Sequence, residues 1–266
     1  MPLLHYTETG PERGPTPVLM LLHGLFGSSA NLRGLVHALA NRWRVLAVDL
    51  RNHGRSPHYD SMTYAEMAGD IRELLDGLDI ARATLIGHSM GGKVAMVLAL
   101  TEPDRVTSLA ALDIAPVSYA RRYDNLIAAL QSLDLTGLGS RQEADRRLRV
   151  GIPNHALRLF LLQNLLREDD RFVWRLNLAA LASNMDELLG FPEFEAARYP
   201  GPVLFLRGGN SGYLEPASHG VIHARFPKAA IETVPGAGHW LHVEQPGMVT
   251  AYLRGFLDRF ASGLLW

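Results

Sequence analysis

The chain contains no cysteine, which rules out disulfides, thiol nucleophiles and cysteine-ligated metals. Lysine is almost as scarce: of 26 cationic residues only Lys93 and Lys228 are lysine. Neither sign of charge dominates. Lys plus Arg number 26 against 27 Asp plus Glu, for a net charge of −1, so nothing points to nucleic acid or an anionic membrane as a partner. No apolar run reaches the roughly 20 residues that span a bilayer, and Met1 to Glu12 lacks a basic-then-apolar signal pattern. These absences predict a cytoplasmic protein without stable membrane insertion. No internal repeat or low-complexity tract interrupts the chain.

What is present is enough apolar side chain for a substantial core: 47% of 266 residues are hydrophobic and 20% charged. The organising stretch is Leu85-Ile86-Gly87-His88-Ser89-Met90-Gly91-Gly92-Lys93. A buried-type strand, Ala83 to Ile86, leads into it and a helical run, Val94 to Leu100, leads out. Gly87-x-Ser89-x-Gly91 between them has the pattern of a nucleophile elbow. A turn that lifts one side chain off a strand and drops straight into a helix needs tiny neighbours. The helix N-terminus then favours negative charge developing beside the serine. Gly87-x4-Gly92-Lys93 also has phosphate-loop spacing, but Val94 stands where a Ser or Thr should hold magnesium.

Around this stretch the chain alternates. Expected strands are Leu3–Thr7, Val18–Leu22, Arg44–Val48, Ala83–Ile86, Ser108–Ile114, Pro202–Leu206 and Ala230–Val234. Expected helices run from Ser28 or Ser29 to Leu39, then Thr63–Leu78 with a Thr63/Glu66 capping box, Glu215–Phe226 and Pro246–Ala261. Pro11 to Pro17 reads as a turn region. Alternation of this kind predicts an α/β fold with a mostly parallel sheet covered by helices on both faces, with sites at the carboxyl ends of its strands. Leu25, Asp49, Ser89 and Asp113 fall at such ends. Ser118 to Leu189 breaks the rhythm: no strand is read there, only helices near Asn125–Leu133, Arg141–Val150, Ala156–Leu166, Phe172–Ala182 and Asp186–Leu189. The predicted division is a core of 1–117 and 190–266 with a helical cap, 118–189, inserted over the rim.

Hydrolysis by a serine requires a base, an acid to orient it and N–H donors for the oxyanion. In the order Ser, acid, His, Ser89 is the nucleophile and His239, on a Gly-rich loop after the last strand, is the base. Asp113 is favoured as the acid, with Glu215 the alternative, because Gly208-Gly209-Asn210-Ser211-Gly212 carries no carboxylate. Ser211 stands where it can hydrogen-bond as an auxiliary group. The oxyanion donors are assigned to the N–H groups of Met90 and Leu25, with Phe26 the alternate to Leu25. Phe26 and His88 are candidate substrate contacts, with His88 directed into the fold. His23 is read as a structural hydrogen bonder, and His242 as facing elsewhere. Asp49 is expected to ion-pair with Arg51 and Arg55. His219 and His223, spaced i and i+4 without a zincin glutamate, are read as a solvated helix face rather than a metal pair.

The segments His23-Gly24-Leu25-Phe26-Gly27-Ser28, Val48-Asp49-Leu50-Arg51-Asn52-His53-Gly54-Arg55-Ser56, Gly87–Lys93, Leu112-Asp113-Ile114-Ala115-Pro116 and Gly236-Ala237-Gly238-His239-Trp240 together resemble the α/β-hydrolase superfamily, in its YbfF-like esterase branch within the abhydrolase group. The resemblance implies hydrolysis of a small-molecule carboxylic ester or a thioester such as acyl-CoA, under a helical cap. It also supports Asp113 as acid and Ser211 as an auxiliary histidine contact. No metal or organic cofactor is required. Arg146, Arg147 and Arg149 are either an exposed helix face or a contact for CoA phosphates. A cofactor-free haloperoxidase or perhydrolase uses the same triad and is the rival enzyme; the other rival is a catalytically silent binding protein of this fold. Dehalogenases and epoxide hydrolases need a carboxylate where this elbow has Ser89.

Overall fold

The computed structural model describes residues 3–11, 17–121 and 123–260. The predicted turn from Pro11 to Pro17 falls almost wholly outside them, as does Ala261. Nine strands are described: β1 Tyr6–Thr9, β2 Val18–Leu22, β3 Arg44–Val48, β4 Ala83–His88, β5 Val106–Leu112, β6 Leu165–Glu168, β7 Arg171–Trp174, β8 Val203–Gly208 and β9 Ala229–Val234. The helices of the core are α1 Arg33–Leu39, α2 Tyr64–Gly77, α3 Met90–Thr101, α9 His219–Arg225, α10 Leu241–Glu244 and α11 Pro246–Phe260. Between β5 and β8 lie α4 Asp124–Gln131, α5 Arg141–Leu148, α6 His155–Leu162, α7 Leu178–Ser183 and α8 Met185–Leu189.

Seven strands form one sheet in the order β1-β3-β2-β4-β5-β8-β9. All pairs are parallel except β1 with β3. Strand alternation sends successive side chains to opposite faces, and both faces are covered. In β2, Leu19 and Leu21 pack towards α1 and α11 with Leu35, Leu39 and Leu253. Met20 and Leu22 pack towards α2 and α3 with Ile71 and Val94. Burial on both faces explains why these strands read as unbroken apolar runs. The α2 cap is as predicted: the Glu66 N–H donates to Thr63 Oγ1 at 3.2 Å and the Thr63 N–H to Glu66 Oε2 at 2.8 Å.

The first strand starts later than expected, at Tyr6 rather than Leu3, where it pairs with Val48. The Glu215–Phe226 helix is instead a 3₁₀ turn, Pro216–Ser218, followed by α9. The segment between β5 and β8 departs most from expectation, because it contains a β-hairpin. β6 and β7 pair antiparallel across Asp169-Asp170. Asp169 takes φ +51°, a conformation its short polar side chain tolerates. Leu157, Phe160, Leu161, Leu165 and Leu166 read in the sequence as one helical apolar stripe; α6 instead ends at Leu162, and Leu165 and Phe172 are buried strand residues. Buried residues of this segment, including Leu130, Leu161 and Leu181, are continuous with the α2/α3 face of the sheet.

Candidate active site

Ser89 sits between β4 and α3 with φ +51° and ψ −118°, strained geometry for a residue with a Cβ. Asp113, just after β5, also has φ +51°. Each is tied to the neighbouring strand's last residues: the Ser89 N–H donates to Leu112 O at 3.0 Å and the Asp113 N–H to Leu206 O at 2.7 Å. The elbow glycines are sterically required. A Cβ on Gly87 would lie 2.3 Å from Gly91 O, and one on Gly91 would lie 2.4 Å from Leu22 O.

His239, on the loop after β9, joins the two strained residues. Its Nε2 is 3.0 Å from Ser89 Oγ and its Nδ1 is 2.7 Å from Asp113 Oδ2. Asp113 is wholly buried. Its other oxygen accepts from the Gly208 N–H at 2.8 Å, and Ser211 Oγ donates to Oδ2. Glu215 is exposed at the start of its 3₁₀ turn, and His239 Nδ1 is committed to Asp113. The sequence-derived serine, acid, base and auxiliary serine thus converge in space.

The loop after β2 faces this group. His23 Nδ1 donates to Gly24 O at 2.8 Å, and His23 Nε2 accepts from the Leu50 N–H at 3.0 Å. Burial pushes its pKa down, so it is a neutral structural hydrogen bonder, as read. The Phe26 N–H is occupied by His53 Nε2 at 3.1 Å. Among the described residues, the N–H groups of Leu25 and Met90 donate to no protein acceptor, so both are available near Ser89.

His88 points inward, donating Nε2–H to the His239 carbonyl at 2.8 Å. Burial, then the neighbouring His242 and His239, hold its pKa well below the usual histidine value. His242 packs on His88 with ring centroids 4.6 Å apart, and burial pushes its pKa to about 4.

The expected ion pairs of Asp49 are not formed. The Arg51 guanidinium grips Asp70 instead, at 2.6 and 2.8 Å. Arg55 offers Asp49 only its backbone N–H, at 2.9 Å, alongside that of Ser29 at 2.7 Å, and the His5 imidazole is a side-chain partner, with Nδ1 3.0 Å from Asp49 Oδ2. Burial raises the Asp49 pKa, but these N–H donors outweigh it and the net direction is down. A short loop with no Cβ at Gly54, where one would lie 2.1 Å from Asp49 Cγ, lets the backbone close around the carboxylate.

Two cavities meet at Ser89. The wider, about 370 Å³, is lined by His88, His239, Phe26, Leu126, Phe160 and Trp240 among others. The narrower, about 30 Å³, is bounded by Met90, Ile114, Tyr119 and Tyr213. Leu25 and Tyr123 line both. Arg146, Arg147 and Arg149 line neither; Arg147 pairs with Glu143, and Arg149 lies 3.9 Å from Asp145. His219 and His223 gather no third ligand, and no metal-binding group of three or more His, Asp or Glu occurs among the described residues. No described helix is long and apolar enough to cross a membrane.

Sequence reasoning missed three contributors. Tyr213 stacks on His239, with centroids 3.8 Å apart and planes 14° apart. Asn164 donates to the Phe26 carbonyl. Lys93, fully buried, donates to the carbonyls of Leu189 and Gly190. Each acts across 95 residues or more of sequence or through stacking, which no local pattern signals; Lys93 stands out in the sequence only for its phosphate-loop spacing.

A parallel sheet carrying a serine on a strained strand-to-helix turn, an aspartate at the next strand end and a histidine after the last strand has the layout of an α/β-hydrolase. The chain belongs to the alpha/beta hydrolase fold family, whose model matches residues 17–246. It is 43% identical to a Mus musculus protein named sn-1-specific diacylglycerol lipase ABHD11, over 93% of this chain and 81% of the relative. It is 38% identical to the Escherichia coli protein named Esterase YbfF, over 94% and 97%. A solved structure described as a marine microorganism esterase superposes with a TM-score of 0.92 at 35% identity, covering 96% of this chain and 99% of the other.

Proposed function

We propose that this chain is a serine esterase that cleaves small-molecule carboxylic esters through an acyl-enzyme on Ser89. The observation that carries the reading is the unbroken relay Ser89 Oγ to His239 Nε2 at 3.0 Å and His239 Nδ1 to Asp113 Oδ2 at 2.7 Å. Relatives with esterase and lipase names support it. Ser89 attacks the ester carbonyl while His239 takes its proton. The oxyanion is held by the N–H groups of Leu25 and Met90. Asp113, bonded to Ser211 and Gly208, orients the imidazole and stabilises its cation. His239 then protonates the departing alkoxide, and water, activated by the same imidazole, releases the acid. Residues 118–189 act as the cap, and 1–117 with 190–266 as the hydrolase core.

The two cavities suggest how a substrate lies. The leaving oxygen must sit beside His239 Nε2, which faces the wide cavity. The alcohol portion belongs there, among apolar side chains. The acyl group turns the other way, into about 30 Å³, room for only one or two heavy atoms. Short-chain esters of bulky apolar alcohols fit best. Thioesters call for the same chemistry, but the Arg146–Arg149 cluster offers nothing at the cavities for CoA phosphates.

The test is hydrolysis of 4-nitrophenyl acetate by wild type and Ser89→Ala, with fluorophosphonate labelling read at the peptide carrying Ser89. Loss of the nucleophile should cost about 10⁴- to 10⁶-fold in kcat; activity retained by Ser89→Ala would overturn the proposal.

A further inference from the structure

The backbone of Phe26 is gripped at both ends. Its N–H donates to His53 Nε2 at 3.1 Å, and its carbonyl accepts from Asn164 Nδ2 at 2.8 Å. His53 comes from the loop after β3, and Asn164 from the junction between α6 and β6. Both are buried. The His53 ring is fixed by Nδ1–H donation to Arg51 O at 2.9 Å, leaving Nε2 as the acceptor. The Asn164 amide also donates to Leu161 O at 3.2 Å, and its backbone carbonyl accepts from Arg175 N–H at 2.8 Å.

Phe26 needs that grip. It is the third residue of a turn closed by the Gly27 N–H to Gly24 O at 3.0 Å, and its φ is +62°. Glycine or asparagine usually occupies such a position, and a bulky residue there persists only when its surroundings hold it. The preceding residue in the same turn is Leu25, the oxyanion donor.

We infer that Asn164 and His53 are positioning residues for the oxyanion hole: by holding Phe26 in its left-handed conformation, they keep the Leu25 N–H aimed at the substrate oxygen on Ser89. The inference rests on the serine-esterase reading. It makes the segment between β5 and β8 part of the catalytic apparatus as well as a cover, because the Phe26 carbonyl is held by Asn164 while its N–H is held from the core by His53. Released from the brace, Phe26 relaxes towards negative φ, the Leu25–Phe26 peptide turns, and the four-residue turn that fixes the Leu25 N–H loosens.

The test compares Asn164→Ala and Asn164→Leu with wild type, each in the native and the Phe26→Gly background, after thermal melts confirm folding at the assay temperature. Leucine keeps the volume of asparagine without its donor. Three quantities are read: kcat and KM for a 4-nitrophenyl ester, and the Ki of a trifluoromethyl ketone, whose hemiketal oxyanion on Ser89 occupies the same hole. Removing an oxyanion donor outright costs about 10²- to 10³-fold, so a misaimed one should cost about 10- to 100-fold in kcat. KM should hold within about twofold, with the ketone Ki weakening in parallel, as for an interaction made only in the transition state. In the Phe26→Gly background, where glycine takes positive φ unaided, the Asn164 penalty should shrink to within about threefold. Equal penalties in both backgrounds, or a loss confined to KM, would overturn the inference. A wild-type enzyme that turns over no ester would overturn the underlying reading instead.

Discussion

The phenol ring of Tyr213 lies flat against the imidazole of His239, with centroids 3.8 Å apart and planes 14° apart. Tyr213 is itself fixed: Tyr119 OH donates to its carbonyl at 2.6 Å, and its hydroxyl meets that of Tyr123. The stack confines the imidazole to the plane in which Nε2 faces Ser89, and small misplacements of a catalytic group are costly. Tyr213→Phe keeps the stack and should hold kcat within about threefold. Tyr213→Leu should lower kcat about 10-fold, with a smaller change in KM, by steady-state ester kinetics. Equal activity of Phe and Leu variants would mean that the ring does not position His239.

Asp113 and Glu215 compete for the acid's role in the sequence but not in space. Asp113→Asn leaves the shape while disrupting imidazole orientation, and should cost about 10⁴-fold in kcat. Glu215→Gln, at an exposed position, should change kcat less than about twofold. Ser211→Ala removes one of three hydrogen bonds to the Asp113 carboxylate and should fall between them, at about 3- to 10-fold. A larger loss from Glu215→Gln than from Asp113→Asn, with both variants folded, would reverse the assignment.

What was legible in the chain follows from the range of the forces involved. Buried parallel strands write themselves as apolar runs, so Val18–Leu22 and Arg44–Val48 were read to the residue. Glycines mark where backbones touch, so the elbow was legible from Gly87 and Gly91. The β6–β7 hairpin was not. Its strands are four residues each, and its turn uses Asp169 where a more telling sequence would have glycine. Leu165 and Leu166 also continued the helical spacing of α6 by chance. Nearness in sequence to Arg51 suggests pairing with Asp49, whereas the chain turns Arg51 towards Asp70 on α2 and leaves Asp49 to the backbone N–H groups of Ser29 and Arg55 and the imidazole of His5. Tyr213 and Asn164 carry no motif at all; the ring stacked on His239 and the amide bonded to the Phe26 carbonyl are brought there by tertiary packing.

Four buried histidines should make the fold acid-sensitive. Burial is the largest cause lowering the pKa of His23, His53, His88 and His242, with His53 at about 3 and His242 at about 4. A folded-state pKa below the unfolded value near 6.5 means that, below that pH, the unfolded chain binds protons the native state refuses. Stability is therefore full above about pH 6.5 and falls as pH drops towards 4, by up to about 1.4 kcal/mol per pH unit for each such group. Urea unfolding at pH 7, 6 and 5 should show the decline, and His242→Gln should flatten it. Equal stability at pH 7 and pH 5 would contradict the assignment of neutral buried imidazoles.

Lys93, on the first turns of α3, donates to the carbonyls of Leu189 and Gly190 at the end of α8. Its ammonium also lies over the rings of Tyr119 and Tyr64, at 4.7 and 5.5 Å. A cation at a helix C-terminus is favourable, and here it ties the return of the β5–β8 segment to the elbow helix. Lys93→Met keeps the aliphatic volume but strands two carbonyls, and should destabilise by about 2–4 kcal/mol in urea unfolding. A loss under about 1 kcal/mol would mean that water or neighbouring donors replace the ammonium.

Tyr123 divides the space at Ser89. Its side chain lines both cavities, meets Tyr213 hydroxyl to hydroxyl, and sets its ring edge-on to Phe26 at 5.9 Å. With the divider in place, a long acyl chain has about 30 Å³ on the Met90 side, and each carbon beyond what fits must displace packed side chains. Acetyl and propionyl esters of one bulky alcohol should therefore exceed the octanoyl ester in kcat/KM by about 10-fold or more, the discrimination of a pocket that is one or two methylenes too short. Removing the ring should join the two spaces, so Tyr123→Ala should move the preference towards longer acyl chains and narrow the ratio, chiefly by raising kcat/KM for the octanoyl ester. Varying the alcohol at a fixed acetyl group should do the reverse in wild type, favouring larger apolar alcohols because the 370 Å³ cavity gains contact from them. If octanoyl esters outrun acetyl esters in the wild-type enzyme, the acyl chain lies in the wide cavity instead, and the orientation derived from the His239 side of the site is wrong.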